Sequence, residues 1–521
     1  MKAFPRCFAL LSALLLATLH TAPLFDLDET IYAQAAHEMR ATGHWLAPTV
    51  NGEPFFEKPL AFYWLLMLAF SLFGEHAWSA RLISALATIL TAFLIARLLA
   101  PILGRARAQL AALVFLVTFQ VQMLARAAIL DATLNACIAA SLLFYLRWLL
   151  FAQKRDAIAS AAAAGLGVAI KGPVGVVVPG LVVLLERLLF GGHRAVVDLV
   201  RRFPWPAALA AFLLTALPEY LLIAWQEGAA FFVDFFVRHN LARATSPMQG
   251  HGGGWHYYLV VFLIGGLPWS LAVVVAVVRG WKVRTENTAE AAALRLALVW
   301  IVAVLVLFSL VRTKLPHYIS SIWPAAAIAV ACAPSRRGLR LGAGIVGLLA
   351  LLLAALPWLW PKIVASAQHP RVVAALADAA PPSAMFALWG IGLLVFALIA
   401  VLRPAVQSGI GLGAALGLVL ALALAPLVAR VQQAPLLAIA SKLQAISPDV
   451  PVYSFALQAP SVSFYAQRTY RLLHAPEEVA SLRPPYLLFL RAENQRRLPE
   501  ALLQRTPLLS QGGYLLYWVK E

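Results

Sequence analysis

The sequence predicts a polytopic α-helical membrane protein with a small α/β domain at its C-terminal end, on three observations. Apolar residues make up 62% of the 521 and charged residues only 12%, where a soluble domain carries roughly 45–50% and about 25%. The apolar residues gather in runs of about 20, the length a helix needs to cross the hydrocarbon. The net charge of +18 is spread as short Lys/Arg clusters between those runs, which is a topology signal. In a soluble chain that excess would suggest nucleic acid, but no basic run with interleaved aromatics occurs, and no nucleic-acid partner is expected. Cys7, Cys137 and Cys332 lie far apart inside apolar runs. They read as buried small hydrophobes rather than as a disulfide framework or a zinc knuckle.

The first run, about 4–21, follows Lys2 and Arg6. Ala22 is followed by Pro23, a poor context for signal-peptide cleavage, so a retained first helix is expected. Further spans are expected at about 76–101, 108–125, 128–150, 157–171, 173–190, 204–224, 256–278, 292–311, 315–333, 339–360, 383–402 and 407–428. That makes about thirteen, two of them short and hinged at Lys171-Gly172-Pro173. With the N-terminus inside, alternate loops collect Arg97, Arg105 and Arg107, then Arg147, Lys154 and Arg155, then Arg187, Arg194, Arg201 and Arg202. They go on to collect Arg279, Lys282, Arg284 and Arg295, then Arg336, Arg337 and Arg340, then Arg403. The other loops are poorer in Lys and Arg and hold the Asp, Glu, His and aromatic residues. Both patterns place the N-terminus of this inner-membrane protein on the inside.

Two long outer loops follow from this, at about 22–75 and 225–255. In the first, Asp28–Arg40 reads as a helix with Asp26 or Asp28 as N-cap, and the aromatic-rich Pro59–Phe73 as an interfacial helix. The transmembrane domain is expected over 1–428. Residues 429–521 are more polar and read as a small α/β domain on the outer side, with strands at Val452–Phe455, Tyr486–Leu490 and Tyr514–Val519. Helices or helical turns are expected at Leu436–Ile446, Ala459–Gln467 and Pro476–Leu482.

Candidate chemistry collects at the outer ends of spans. Asp28-Glu29 follows the first span; a carboxylate pair at a helix start is more often a cap than a site. Asp131 is more telling, because an ionised carboxylate near hydrocarbon needs a partner or a purpose. Arg126 offers the plain answer of a neutralising ion pair. Lys58, in Phe55-Phe56-Glu57-Lys58-Pro59, suits a lipid phosphate as a point charge, against the simpler reading of a snorkelling lysine. Lys171-Gly-Pro and Arg312-Thr-Lys314-Leu-Pro-His317-Tyr318 repeat the theme. The second long loop carries Arg238-His239-Asn240, His251 and His256. No HExxH and no paired-His spacing occurs, so a dedicated metal enzyme is not indicated. No GxxxxGK[ST] loop occurs either, which argues against an ATP-driven pump.

Asp28-Glu29-Thr-Ile-Tyr32, Gly43-His-Trp45, Pro48, Asn51-Gly52 and Phe56-Glu57-Lys58-Pro59 together resemble the first periplasmic loop of ArnT-like glycosyltransferases. That group is the bacterial branch of the protein mannosyltransferase superfamily and has the GT-C membrane fold. Ile129-Leu-Asp131-Ala-Thr-Leu134 is similar to its second acidic motif. Lys171-Gly-Pro and Lys314-Leu-Pro-His-Tyr318 are similar to two later segments, and Tyr453-Ser-Phe and Ser463-Phe-Tyr465 to its periplasmic α/β domain. The resemblance implies transfer of a sugar, 4-amino-4-deoxy-L-arabinose in the type enzyme, from undecaprenyl phosphate to a lipid A phosphate. It implies that Asp28 and Asp131 are the acidic pair near the reacting centre. Lys58 and Tyr318, with Lys171 and Lys314, would meet the carrier phosphate, and Glu29, Arg126 and His317 would line the cavity. It further implies a divalent ion, zinc, at Glu57 and His239.

Two other readings compete. A sibling enzyme would use another polyprenyl-linked sugar, or would modify a protein or another glycan. A lipid or solute transporter would place its polar residues near mid-membrane, often in inverted repeats. Here they lie at span ends and no repeat is visible.

Overall fold

The computed structural model describes residues 3–228, 253–254, 256–280 and 288–520. Among these, eight helices are long and apolar enough to cross a membrane: Ala77–Leu103, Asp131–Phe151, Val174–Arg202, Trp205–Gln226, Ala289–Leu310, Arg336–Ser366, Met385–Leu402 and Val406–Gln432. Tyr257–Gly265 and Ser270–Arg279, bent by 109°, make a ninth if the pair is one span. The remaining expected segments form shorter or broken helices: Ala3–Ala17, Arg105–Leu116 with Phe119–Leu124, and Lys154–Lys171. The last of them is the 3-10 segment Pro316–Ile322, which runs into Trp323–Cys332. Length and composition therefore support eight or nine spans, and the count of thirteen is not established. Gly104, Gly172-Pro173, Gly266-Leu267-Pro268 and Pro316 mark several of the breaks, where proline removes a donor and glycine tolerates the turn. Non-helical backbone at membrane depth survives only where protein or a cavity satisfies it.

Small residues set the packing. A Cβ on Gly175 would fall 2.1 Å from the Gly167 carbonyl carbon, and one on Gly390 would fall 2.4 Å from the Ala354 nitrogen. These contacts bring Lys154–Lys171 against Val174–Arg202 and Arg336–Ser366 against Met385–Leu402, as small residues do between membrane helices. Trp269, Trp300 and Trp323 are buried in the interior. On the outward faces Leu348, Leu388 and Leu402 stand exposed, as a lipid-facing surface requires. Cys7, expected to be buried, is exposed on the first helix, while Cys137 and Cys332 are half-buried. At the end of Asp131–Phe151 away from Asp131, Arg147 pairs with Asp156 at 3.3 Å; Glu186, itself buried, pairs with Arg187 at 2.5 Å.

In the first long loop the two expected helices form as Asp28–Thr42 and Ala61–Phe73. Neither Asp26 nor Asp28 is the N-cap. Leu27 takes that place without a side-chain bond, and the Asp26 carboxylate is spent on Thr30 and Ser461. A short antiparallel hairpin between the helices, β1 (Thr49–Val50) and β2 (Glu53–Pro54), was not expected. Asn51 at its tip has φ 56° and Gly52 has φ 78°, the left-handed pair an Asn-Gly turn supplies. Buried Glu38 fastens the hairpin, accepting from Thr49 Oγ1 at 2.6 Å, the Asn51 amide at 2.6 Å and the Gly52 amide at 3.1 Å.

Beyond Gln432, where the last span ends, the tail builds a five-stranded sheet in the order β4-β3-β5-β7-β6. Its strands are β3 (Val452–Phe455), β4 (Arg471–Leu473), β5 (Tyr486–Arg491), β6 (Leu509–Gln511) and β7 (Tyr514–Val519). Strand β3 runs parallel to β4 and β5, while β7 is antiparallel to β5 and β6. Alternate residues of β5 and β7 enter two cores: Leu487, Phe489 and Leu516 under Leu436, Ile439 and Val462, and Leu488, Leu490 and Leu515 under Val479, Leu498 and Leu502. Both faces are thus covered. Helices Ala434–Gln444, Pro460–Ala466 and Pro476–Ala480 lie where helical pieces were expected. The edge strands β4 and β6 were not expected, since three residues are too few to show an alternation.

This domain is bonded to the membrane region at several points. The Ser461 amide donates to Asp26 Oδ1 at 2.9 Å, and Tyr465 Oη accepts from the Leu24 amide at 2.7 Å. Asn51 Oδ1 accepts from Ser463 Oγ and from the Tyr470 amide. On another side Arg371 pairs with Glu493 at 2.6 Å.

Candidate active site

The site is built from the start of Asp28–Thr42, the segment before Ala61–Phe73, and the facing ends of Asp131–Phe151, Lys154–Lys171 and Pro316–Ile322. Arg81, inside the span Ala77–Leu103 and 3% exposed, organises the approach. Its guanidinium donates to the carbonyls of Leu19 (2.9 Å), Ala22 (2.6 Å) and Pro23 (2.8 Å), and twice to the Glu29 carboxylate (2.8 and 2.7 Å). Glu29 also accepts from the amides of Phe25 (3.0 Å) and Ala128 (2.8 Å). One carboxylate thereby ties the turn before Asp28 to the segment before Asp131. Each charge in the pair is satisfied several times, which is what a buried pair needs.

Asp131 is buried and holds Lys171, whose Nζ donates to Oδ1 at 2.7 Å; His317 Nε2 lies 4.0 Å from Oδ2. Lys171 also sits 5.7 Å from the ring centroid of Tyr318, and the His317 and Tyr318 rings lie 5.2 Å apart. The charges of Asp28 and Lys58 act on His317 together with those of Asp131 and Lys171. Lys58 is buried, and its Nζ donates to the Glu57 carbonyl at 3.0 Å. Asp28 differs in kind. It is exposed, and among the described residues its carboxylate has no hydrogen-bond or ion-pair partner. Tyr32, one turn along, is buried against Phe62 and Tyr63.

Asp28, Lys58, Asp131, Lys171, His317 and Tyr318 thus converge. Three other candidates are used otherwise. Arg126 does not neutralise Asp131; it donates to Thr18 Oγ1 at 3.1 Å and to Gln122 Oε1 at 2.6 Å. Lys314 donates to the carbonyls of Ser309 (2.8 Å) and Val311 (2.9 Å), closing the end of Ala289–Leu310, where a cation meets the negative helix end. Glu29 belongs to Arg81, as above. Glu57 is half-buried in the site segment, whereas His239, and Arg238, Asn240 and His251 with it, lie outside the described residues. Among the described residues no group of three or more His, Cys, Asp or Glu could hold a metal ion.

Two residues escaped the sequence reading. Arg81 is one; a lone Arg inside an apolar span was itself the available signal. Glu219, in Leu217-Pro-Glu-Tyr220, is the other. It is buried on Trp205–Gln226 and accepts from the Ala61 amide at 2.9 Å and from the Leu60 amide. These are free N-terminal amides of Ala61–Phe73, so Glu219 anchors the turn that carries Lys58.

Residues 57–221 match the family described as dolichyl-phosphate-mannose-protein mannosyltransferase. The undecaprenyl phosphate-alpha-4-amino-4-deoxy-L-arabinose arabinosyl transferase of Serratia proteamaculans is 30% identical, over 61% of this chain and 58% of its own length. A like-named transferase of Sodalis glossinidius is 32% identical, over 67% of this chain and 64% of its own. The chain therefore spans about three-fifths of the length of these curated relatives. The crystal structure of ArnT from Cupriavidus metallidurans bound to undecaprenyl phosphate superposes with a TM-score of 0.82 at 21% identity, covering 99% of this chain and 98% of that one. In sequence the chain is similar to ArnT-like glycosyltransferases of the mannosyltransferase superfamily, and it has their GT-C fold.

Proposed function

We propose that this multi-pass membrane protein is a glycosyltransferase that moves 4-amino-4-deoxy-L-arabinose from undecaprenyl phosphate to a lipid A phosphate at the periplasmic face of the inner membrane. The observation that carries the reading is the convergence on Asp131 of half-buried Lys171, which donates to it, and buried Lys58, whose charge acts on it, beside an Asp28 carboxylate without a partner among the described residues. The basic inner loops support a cytoplasmic N-terminus, which puts the site and the C-terminal domain outside.

The chemistry follows from these groups. As the bond between the sugar carbon and the carrier phosphate breaks, negative charge grows on the leaving phosphate, and Lys58 and Lys171 stabilise it where water is excluded. Asp131 fixes Lys171 for that role. The sugar carbon becomes oxocarbenium-like, and a nearby carboxylate stabilises its positive charge. Asp28 is free to face the acceptor. A phosphate acceptor is already largely ionised, with a second pKa of about 6, so Asp28 orients it rather than removing a proton. Single displacement inverts the sugar carbon. A divalent ion bound through Glu57 and His239 belongs to this proposal.

The test is mass spectrometry of lipid A from cells with and without the chain, with an Asp131→Asn copy as control. A mass increment matching aminoarabinose that requires the intact Asp131 supports the reading. Unchanged lipid A, with the sugar found on a protein or another glycan, transfers it to the sibling reading.

Two substitutions probe the phosphate end. Lys58→Ala is expected to lower turnover about a hundredfold and to raise the KM for the lipid-phosphate donor well above that for acceptor; equal effects on both KM values would mark the lysine as structural. Glu219→Ala frees the Leu60 and Ala61 amides. It should cost about 1 kcal/mol of stability and about tenfold in turnover by letting Lys58 drift. Glu219→Gln keeps an acceptor oxygen and should recover most of both.

A further inference from the structure

We infer that a second cavity, beside the site, holds the acceptor lipid where its acyl chains join its headgroup; this rests on the proposed transfer to a glycolipid. The cavity has a volume of 650 Å³ and lies between helix Pro370–Ala377, the sheet domain and the turn Asp26–Leu27. Three features define its occupant.

The first is position. Asp26 and Leu27 form one end of the cavity, and the next residue is Asp28. Helix Pro370–Ala377 joins the spans Arg336–Ser366 and Met385–Leu402 and presents Val372 and Val373 outward, exposed by 47% and 39%. It therefore lies at the membrane surface, as an interfacial helix does, and an occupant reaches the cavity from the outer leaflet.

The second is a buried polar group without a partner. Gln433 lines the cavity, is 2% exposed, and its Oε1 has no hydrogen-bond partner among the described residues. A buried amide left unpaired is costly and calls for an explanation. A carboxamide offers an acceptor and donors together, so it matches a ligand amide or hydroxyl. Such groups lie in acylated sugar lipids where the chains meet the sugar.

The third is the distribution of the remaining groups. Leu376, Val431, Leu436 and Leu457 supply apolar wall, and Arg371 and Arg491, held around Glu493, add cationic groups. An amphiphile with acyl chains, an amide-bearing linkage and an anionic headgroup meets all three kinds of surface.

The test uses the full chain in nanodiscs of zwitterionic lipid, with lipid A as the probe and binding read by native mass spectrometry. Asp131→Asn serves as the background, so that binding is scored without turnover. Ala375→Trp fills the cavity, and Gln433→Leu removes the amide at similar volume. At least tenfold weaker lipid A binding in both, with unfolding temperatures held, supports the inference. Binding equal to the parent in either correctly folded variant overturns it, as does equal competition by phosphatidylglycerol, which would mark a general lipid crevice. If lipid A binds here but is never glycosylated in cells, the proposed reaction fails while the subsite stands.

Discussion

Asp131→Asn is expected to lower turnover about a thousandfold while leaving insertion and the elution profile of the purified protein unchanged. Two effects act in the same direction. The asparagine removes the counter-charge from Lys171, whose Nζ sits 2.7 Å from Oδ1 in a largely buried setting. A lysine without that partner loses its fixed position beside the reacting centre. The reacting sugar also loses a carboxylate close enough to feel its growing positive charge. The check is a radiolabelled-sugar transfer assay on purified protein with donor saturating. Wild-type turnover would remove Asp131 from the reaction and leave it as a plain partner for Lys171. Lys171→Ala separates the two roles: if Asp131 acts only through Lys171, the single variants and the double variant will be equally slow, and if it also acts on the sugar the double variant will be slower than either.

Much of this site was legible because membrane burial makes charge conspicuous. Asp131, Lys58 and Lys171 stand out in an apolar sequence, and each must be explained at a cost of several kcal/mol. Their joint address at the outer ends of spans followed from the alternation of basic loops. What the sequence could not supply was who pairs with whom. Arg126 was the nearest cation to Asp131 along the chain, yet Lys171, from the next helix, takes the carboxylate. Helix-to-helix contact decides that pairing, and one chain's spacing does not contain it. The contacts of Lys314 were hidden for a related reason: they depend on the carbonyls left open where Ala289–Leu310 stops. The fold shows the same division. Apolar runs revealed most helical segments, but hairpin β1–β2 and the edge strands β4 and β6 are too short for any periodic signal and exist through their partners.

Arg81→Met should be the most damaging change to stability, costing about 3–5 kcal/mol. It strands the Glu29 carboxylate, 5% exposed, with only two amide donors, and it leaves the carbonyls of Leu19, Ala22 and Pro23 without their shared donor. Chemical denaturation in detergent micelles reads the loss directly. A change below about 1 kcal/mol, the size of an ordinary surface pair, would show that water replaces the guanidinium. The double variant Arg81→Met/Glu29→Met carries the argument further, because removing both partners of a buried pair can restore stability that removing one destroys. Glu29 is not only half of that pair. Its bond to the Ala128 amide is a physical link between the turn holding Asp28 and the segment leading to Asp131. A double variant that regains stability should therefore still turn over slowly, with the two acids no longer held to one another. If it regains full activity as well, the pair serves folding alone, and the placement of Asp28 must come from the bonds Asp26 makes to Thr30 and Ser461.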